Sequence, residues 1–315
     1  MENPELSKPN LIVVTGPTAS GKTAFAAKLA ARLHTEIISA DSRQVYRHMD
    51  IGTGKDYGDY EVDGKQVACH LIDICDPGEQ YNVYQFQRDF SRIYAELQRA
   101  GKVPVLAGGT GMYIEAVLRG YELSDVPADR DFRASVEEKS QEELVDMLLP
   151  INRKLHNSTD LLNRKRTIRA LEIARHMVSH STSAMRLPEI LPVVIGIKYD
   201  RESRRKRISR RLQQRLDEGL IEEVKSLIQR IGPEALLYYG LEYKYLTRYL
   251  TGELDYSEMH AGLETAIHQY AKRQMTWFRK MERSGIVIHW LDGHATQDQK
   301  MERTREIFKK YNMNL

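Results

Sequence analysis

The segment Gly16-Pro17-Thr18-Ala19-Ser20-Gly21-Lys22-Thr23 fits the pattern G-x-x-x-x-G-K-[ST]. Glycines let such a loop turn tightly, so that successive backbone N–H groups point inward at phosphate oxygens. Lys22 has the reach to touch bridging oxygens, and the Thr23 hydroxyl suits a Mg²⁺ bound to them. Two further segments contain residues able to do chemistry. Ser39-Ala40-Asp41-Ser42-Arg43-Gln44 places Asp41 just past a β-rich run, where it is a general base, a Mg²⁺ ligand or a cap on the turn. Gly108-Gly109-Thr110-Gly111 sets one hydroxyl among three glycines. That composition suits close approach to a ligand, and equally a tight turn between strand and helix.

Basic residues are clustered. From Arg201 to Arg215 eight residues are basic and one, Glu202, is acidic. Arg204, Arg207 and Arg211 are spaced i, i+3, i+7 along one helical face, with Ile208, Leu212 and Leu216 on another. A charge run is commonly a solvated face, but arginines with so few acidic partners repel one another, and phosphate relieves them. The stretch Gln269 to Lys280 interleaves Tyr270, Trp277 and Phe278 with Lys272, Arg273, Arg279 and Lys280. That mixture can stack on unpaired bases and pair with phosphates, while the aromatics can equally form core. Arg164, Lys165, Arg166 and Arg169 make another candidate contact surface. A phosphoryl-transfer ATPase usually ends a second strand in a Mg²⁺-binding acid. The run Val105-Leu106-Ala107 ends in glycines instead, and Asp73 is the alternative supplier.

These groups must be positioned by a scaffold. β-rich runs recur at Leu11 to Thr15, Glu36 to Ser39, Ala68 to Ile74, Val103 to Ala107, Val193 to Lys198 and Ile286 to Trp290. Most lack polar alternation, as strands covered on both faces do. Helical stretches separate them; the clearest runs from Val83 to Ala100, capped by Asn82 and stopped by Gly101. This pattern predicts an α/β fold, a doubly wound parallel sheet with its ligand at the strands' C-terminal ends. The rhythm breaks between Gly120 and Pro192. There Ser140-Gln141-Glu142-Glu143 is a capping box and Asn163 to Glu172 reads as a helix. The expected organisation is a phosphate-loop core at 1–119 and 191–315, with a helical C-terminal region and an all-helical insertion at 120–190.

Composition sets the outer bounds. The chain has 315 residues, 41% hydrophobic and 29% charged, with a net charge of +3. This is the composition of a soluble globular protein, and the net charge alone is too small to argue for nucleic acid. Cys69 and Cys75 have no further cysteines to complete a metal set, so buried thiols in a reducing cytosol are the expectation. The N-terminus lacks the apolar core of a signal peptide and there is no apolar run of about 18 residues. A cytoplasmic protein, away from membranes, is expected.

Taken in order, these motifs resemble the tRNA dimethylallyltransferase (tRNA isopentenyltransferase) family. The phosphate loop at 16–23 is followed by Asp41-Ser42-Arg43-Gln44-Val45-Tyr46-Arg47, Met49-Asp50-Ile51-Gly52-Thr53 and His70-Leu71-Ile72-Asp73-Ile74 with Asp76-Pro77. Then come Gly108-Gly109-Thr110-Gly111, Arg169-Ala170-Leu171-Glu172, Gly219-Leu220-Ile221-Glu222-Glu223-Val224 and Ala271-Lys272-Arg273-Gln274 with Thr276-Trp277-Phe278-Arg279. The match spans about residues 10 to 290. The resemblance implies Mg²⁺-dependent transfer of a dimethylallyl group from dimethylallyl diphosphate to N6 of an adenosine at position 37 of a tRNA anticodon loop. It implies a phosphate-loop NTPase-like sheet core, an insertion that grips the anticodon stem-loop, a nucleotide-binding (ATP-binding) signature and a monomer. By position Asp41 matches the general base, Thr110 a residue flanking acceptor and diphosphate, and Arg211 the arginine on the diphosphate. It further places Ser42, Arg43, Gln44, Arg133, Lys165, Arg166, Thr167, Ile168, Arg169, Lys272 and Arg273 against tRNA.

The sequence also departs from the family. Arg43 stands where Met is usual, and His48 and Gly54 replace a typical Gly and Ala. Asn163 replaces an Asp, Glu242-Tyr243-Lys244-Tyr245 replaces Gly-Tyr-Lys-Glu, and Ile267-His268 replaces Thr-Arg. No C-terminal zinc finger of the eukaryotic kind is present. These changes bear on the acceptor more than on the reaction. The competing readings are an adenylate isopentenyltransferase acting on free AMP, ADP or ATP, a small-molecule kinase or ATPase, and an RNA-binding protein with an inactive phosphate loop.

Overall fold

The computed structural model describes residues 8–151, 161–179 and 187–315. The chain divides into two compact units, Met1–Gly120 with Leu187–Leu315, and Tyr121–Arg186. Segments 152–160 and 180–186 of the expected insertion, like residues 1–7, lie outside the described residues.

In the first unit the chain runs through β1 (Leu11–Thr15), α1 (Lys22–Arg32), β2 (Ile37–Ser39), a hairpin of β3 (Glu61–Val62) and β4 (Lys65–Gln66), β5 (Cys69–His70), α2 (Val83–Arg99), β6 (Val105–Gly108) and α3 (Gly111–Leu118). The second unit contributes α4 (Arg130–Ser135), α5 (Gln141–Leu148) and α6 (Arg164–Ser179). The chain then completes the first unit with β7 (Pro192–Lys198), α7 (Arg201–Asp217), α8 (Leu220–Ile231), α9 (Pro233–Leu236), α10 (Leu241–Leu250), α11 (Tyr256–Arg283), β8 (Ile288–Asp292) and α12 (Gln297–Lys309).

Six strands form one parallel sheet in the order β5-β2-β6-β1-β7-β8. The central strand β1 pairs with β6 and β7, so that Val13 lies opposite both Leu106 and Val194. Successive side chains of a strand face opposite ways, and in β1 both ways are dry. Leu11 and Val13 join a core with α2, α3, α7, α8, α10 and α11, while Ile12 and Val14 join another with α1 and α12. That double covering is why the strands read as unbroken apolar runs. Because all strands point the same way, the loops after β1, β2 and β6 emerge at one edge of the sheet.

Several boundaries differ from the sequence reading. The run Ala68 to Ile74 yields only Cys69–His70 as strand, because Leu71 and Asp73 take left-handed φ values of 63° and 55°. The following amides turn to other acceptors: Asp73 N donates to Gln44 O, and Ile74 N to Val45 O. The last strand starts two residues late, at Ile288, because Ile286 N closes onto Met281 O at the end of α11. The β3–β4 hairpin was foreshadowed by Asp63-Gly64, whose φ values of 51° and 72° are those of a tight hairpin turn. Cys69 and Cys75 are free and only half-buried, not buried as expected, since one sits on the edge strand and the other just beyond it.

Helix α2 has its capping box complete: Asn82 accepts from Gln85 N and the Gln85 side chain accepts from Asn82 N. Its buried stripe includes Phe86, Phe90, Ile93, Tyr94 and Leu97, with Phe90 fully enclosed. Phe90→Ala should therefore destabilise the protein by roughly 3–5 kcal/mol and Asn82→Ala by about 1 kcal/mol, read from urea unfolding. Equal effects from the two would contradict this packing.

Candidate active site

The loop after β1 turns at Gly21, whose φ of 75° is the left-handed conformation that glycine adopts without strain, and α1 begins at the next residue. Ala19 is also left-handed, at φ 60°, and is not a glycine. Its carbonyl is held by Arg207 of α7, whose Nε donates to it at 2.8 Å while the guanidinium lies over the Tyr199 ring. A second clamp comes from α11. Gln274 is buried; its Oε1 accepts from Thr18 N at 2.8 Å and its Nε2 donates to Gly109 O at 2.9 Å. One amide thus fixes the phosphate loop relative to the glycine turn after β6.

These loops bound a cleft of about 380 Å³ whose walls include Thr18, Lys22, Thr23, Asp41, Arg211 and Arg273. Ser42, Arg43 and Gln44 line it too, as do Gly108, Tyr270 and Gln274. The Asp41 carboxylate accepts from Arg43 N at 2.9 Å, so the turn-capping reading is realised in part while the residue still lines the cleft. Thr110 is tied in through Ser42, whose N–H donates to the threonine hydroxyl at 3.0 Å, and Thr110 N donates to Ala40 O. Ser42 and Thr110 are therefore hydrogen-bonded across two loops, with Asp41 next to Ser42 in the chain.

Positive charge dominates the cleft. Burial pushes the Lys22 ammonium down to about 8, with Asp41 opposing and Arg211 and Arg215 adding to the shift. Arg211 reaches Asp56 at 2.7 Å. Arg215, which the sequence reading passed over, is buried, and its affinity for the proton is lowered by that burial and by Arg211. It faces the Glu242 carboxylate at 3.6 Å; burial raises the proton affinity of Glu242 and Arg215 opposes this. Gly54, at φ 68°, lies so close that a Cβ would overlap the Arg215 guanidinium and stand 2.5 Å from Arg211 Nη2. Gln44 Nε2 holds the Gly54 carbonyl at 2.9 Å.

A carboxylate sets this loop in place. Glu223 of α8 accepts from the amides of Asp50, Ile51 and Gly52 at 2.8, 2.7 and 3.0 Å, and from the Tyr243 hydroxyl at 2.7 Å. Lys55 is fully buried and bonds Asp50, Asp73 and the Tyr46 carbonyl. Asp73 is thus committed to Lys55 and Tyr57, and does not line the cleft.

The basic run of α7 does not act as one face. Arg211 and Arg215 enter the cleft, Arg207 braces the phosphate loop, and Arg204 lines a different cavity. Helix rotation separates them: the cleft meets the C-terminal half of α7 alone. In α11, Ala271, Gln274, Met275, Phe278 and Met281 are buried, whereas Lys272, Arg273 and Arg279 are exposed. Of the aromatics only Phe278 is fully core, Trp277 is half-buried and Tyr270 lines the cleft, while the bases lie on the exposed face.

The remaining sequence-predicted residues belong to the second unit. Arg133 and Arg169 both pair with the buried Glu172, at 2.7 and 3.0 Å. Thr167 is buried and its hydroxyl is engaged by Gln141 and Asn163, and Ile168 packs on the unit's core. Lys165 and Arg166 are exposed.

Comparison with known proteins follows the same lines. The IPP transferase family profile matches residues 44–281, and the isopentenyl transferase profile residues 9–66. The chain is 55% identical to tRNA dimethylallyltransferase 1 of Parabacteroides distasonis over 298 residues, 94% of this chain and 97% of that one. It is 53% identical to tRNA dimethylallyltransferase 2 of Bacteroides fragilis, covering 96% and 99%. The crystal structure of full-length tRNA isopentenylpyrophosphate transferase from Bacillus halodurans superposes with a TM-score of 0.70 at 35% identity, covering 97% of each chain. With its motifs in register along a parallel sheet that ends in a phosphate loop, this chain belongs to the IPP transferase family, the tRNA dimethylallyltransferases.

Proposed function

We propose that the chain transfers a dimethylallyl group from dimethylallyl diphosphate to the exocyclic N6 of an adenosine in the anticodon loop of tRNA, releasing diphosphate. The observation that bears most weight is the meeting in one cleft of Lys22, Thr23, Arg211 and Arg215 with the carboxylate Asp41. An adenine amine is a poor nucleophile, so the allylic C–O bond must largely break before the C–N bond forms. The diphosphate departs with the electron pair, and Lys22, Arg211 and Arg215 stabilise its growing charge. Asp41 accepts the N6 proton. Thr110, through Ser42, holds the Asp41 loop, and an adenine reaches the cleft by leaving its stack.

The donor set fits a Mg²⁺ bound mainly through substrate. Among the described residues no group of three His, Cys, Asp or Glu could hold a metal. Thr23 offers a single hydroxyl in the cleft, as expected of a cation that takes its remaining ligands from phosphate and water. Held there by Thr23, such an ion would supply positive charge against the leaving diphosphate.

Exposed Lys272 and Arg273 on one unit, and Lys165 and Arg166 on the other, favour RNA over free AMP as acceptor, because a nucleotide needs few phosphate contacts. No helix among the described residues is long and apolar enough to cross a membrane.

Incubation with labelled dimethylallyl diphosphate, ATP, AMP and an unmodified anticodon stem-loop tests the proposal. Label should enter the stem-loop; label in AMP alone, or ATP hydrolysis coupled to a small acceptor, would refute it. In the same assay Asp41→Asn should slow turnover by roughly 10² to 10⁴ while stem-loop affinity holds. Near-normal turnover would leave Asp41 as a turn cap only.

The Lys22 shift gives a pH test. Above about pH 8 much of the free protein has lost this proton, and a bound diphosphate restores it. Calorimetry with an unreactive alkyl diphosphate at about pH 8.5 should therefore report proton uptake, as heats that vary with buffer ionisation enthalpy. Lys22→Met should abolish it. No uptake by the unaltered protein would contradict the assigned role of Lys22.

A further inference from the structure

A second cavity, of about 740 Å³, lies between the N-terminal half of α7 and α11. It shares no lining residue with the catalytic cleft. Its cations come from three elements: Lys198 at the end of β7, Arg201, Arg204 and Arg205 of α7, and Lys272 and Arg279 of α11. On α7 the spacing i, i+3, i+4 keeps three guanidinia on adjoining faces of the first turns, and on α11 the spacing i, i+7 aligns its two cations. The α7 N-terminus, capped by Asp200, adds its positive end to the same region.

Compensation is slight: Asp200 at the helix cap raises the proton affinity of Arg204, and Lys198 lies over the Trp290 ring. Among the described residues, none of these six cations takes part in an ion pair within 4.0 Å. The one acid in the wall, Glu282, accepts from Trp290 Nε1 at 2.8 Å. Arg204 is half-buried, and its proton affinity is lowered by that burial and then by Arg279 and Arg201. Like charges on facing helices repel at close range, and an anion between them turns each repulsion into two attractions.

We propose that this cavity is a second, non-catalytic site for a polyphosphate group, held by Arg201, Arg204, Arg205 and Arg279. Its size and charge suit two or three linked phosphates. That chemistry is offered by a free nucleoside di- or triphosphate and by successive phosphates of an RNA strand. The assignment stands whichever acceptor the catalytic cleft uses.

The test titrates tripolyphosphate into Lys22→Met protein, whose phosphate loop is disabled, and follows the heat. One saturable equivalent is expected. Arg204→Gln combined with Arg279→Gln in that background should weaken it by roughly tenfold or more, the loss of charge-assisted hydrogen bonds. The melting temperature of that variant at low salt should stay level or rise, because repulsion is removed. Adding a saturating anticodon stem-loop identifies the source. Unchanged tripolyphosphate binding assigns the site to a free anion; its loss, with weaker stem-loop binding by the variant, assigns it to the RNA backbone. Absence of saturable binding, binding unaffected by the double substitution, or a lower melting temperature would each overturn the assignment.

Discussion

Gln274 ties the site together. Its carboxamide holds Thr18 N, 256 residues away, in a part-buried bond and Gly109 O, 165 residues away, in a buried one. A buried amide that loses one partner leaves a polar group unsatisfied, so the phosphate loop, the glycine turn and α11 are positioned jointly. Thr110 follows Gly109 and anchors Ser42, which places the Asp41 turn. The geometry of the proposed base thus traces back to a helix that supplies no reacting group.

Charge is organised on the same plan. Helix α7 carries eight basic residues between Arg201 and Arg215, and three surroundings divide six of them. The C-terminal pair face the cleft, Arg207 braces Ala19, and the first turns border the second cavity. The cleft pair are seated against Gly54, whose carbonyl Gln44 holds, while Glu223 holds the amide of Gly52 two residues earlier in the same loop. Glu242 lies against Arg215 and lessens the local excess of positive charge. The absence of a side chain at Gly54 leaves the room that those guanidinia occupy.

What the sequence disclosed depended on range. The phosphate loop was legible because strand, turn and helix are contiguous there and each residue type answers a local demand. The parallel sheet was legible because strands buried on both faces lose polar alternation. Helical spacing grouped Arg211 with Arg204 and Arg207, and only the family resemblance singled Arg211 out for the diphosphate. Gln274, Glu223, Arg215 and Lys55 were not assigned roles, because each acts on backbone or charge distant in the chain. Glu223 reaches amides more than 170 residues away, and no short pattern signals that a glutamate caps a loop elsewhere. The edge strand after Ala68 was overcalled for a related reason. Hydrophobicity marked Leu71 and Ile72, but the competing bonds to Gln44 and Val45 decided where extension stopped.

The strand order has a consequence for how the molecule comes into being. β1 is made early, yet both of its neighbours, β6 and β7, are encoded far downstream, and β7 follows the whole inserted unit. A chain emerging from a ribosome can pair one side of β1 with β6 after about a third of the protein is made, but the β7 side stays open until nearly two-thirds is synthesised, and Gln274 comes later still. Long-range parallel pairing of this kind is slow and leaves sticky edges exposed meanwhile. Chains released before β7 is made would display the phosphate loop on a sheet still open on one side.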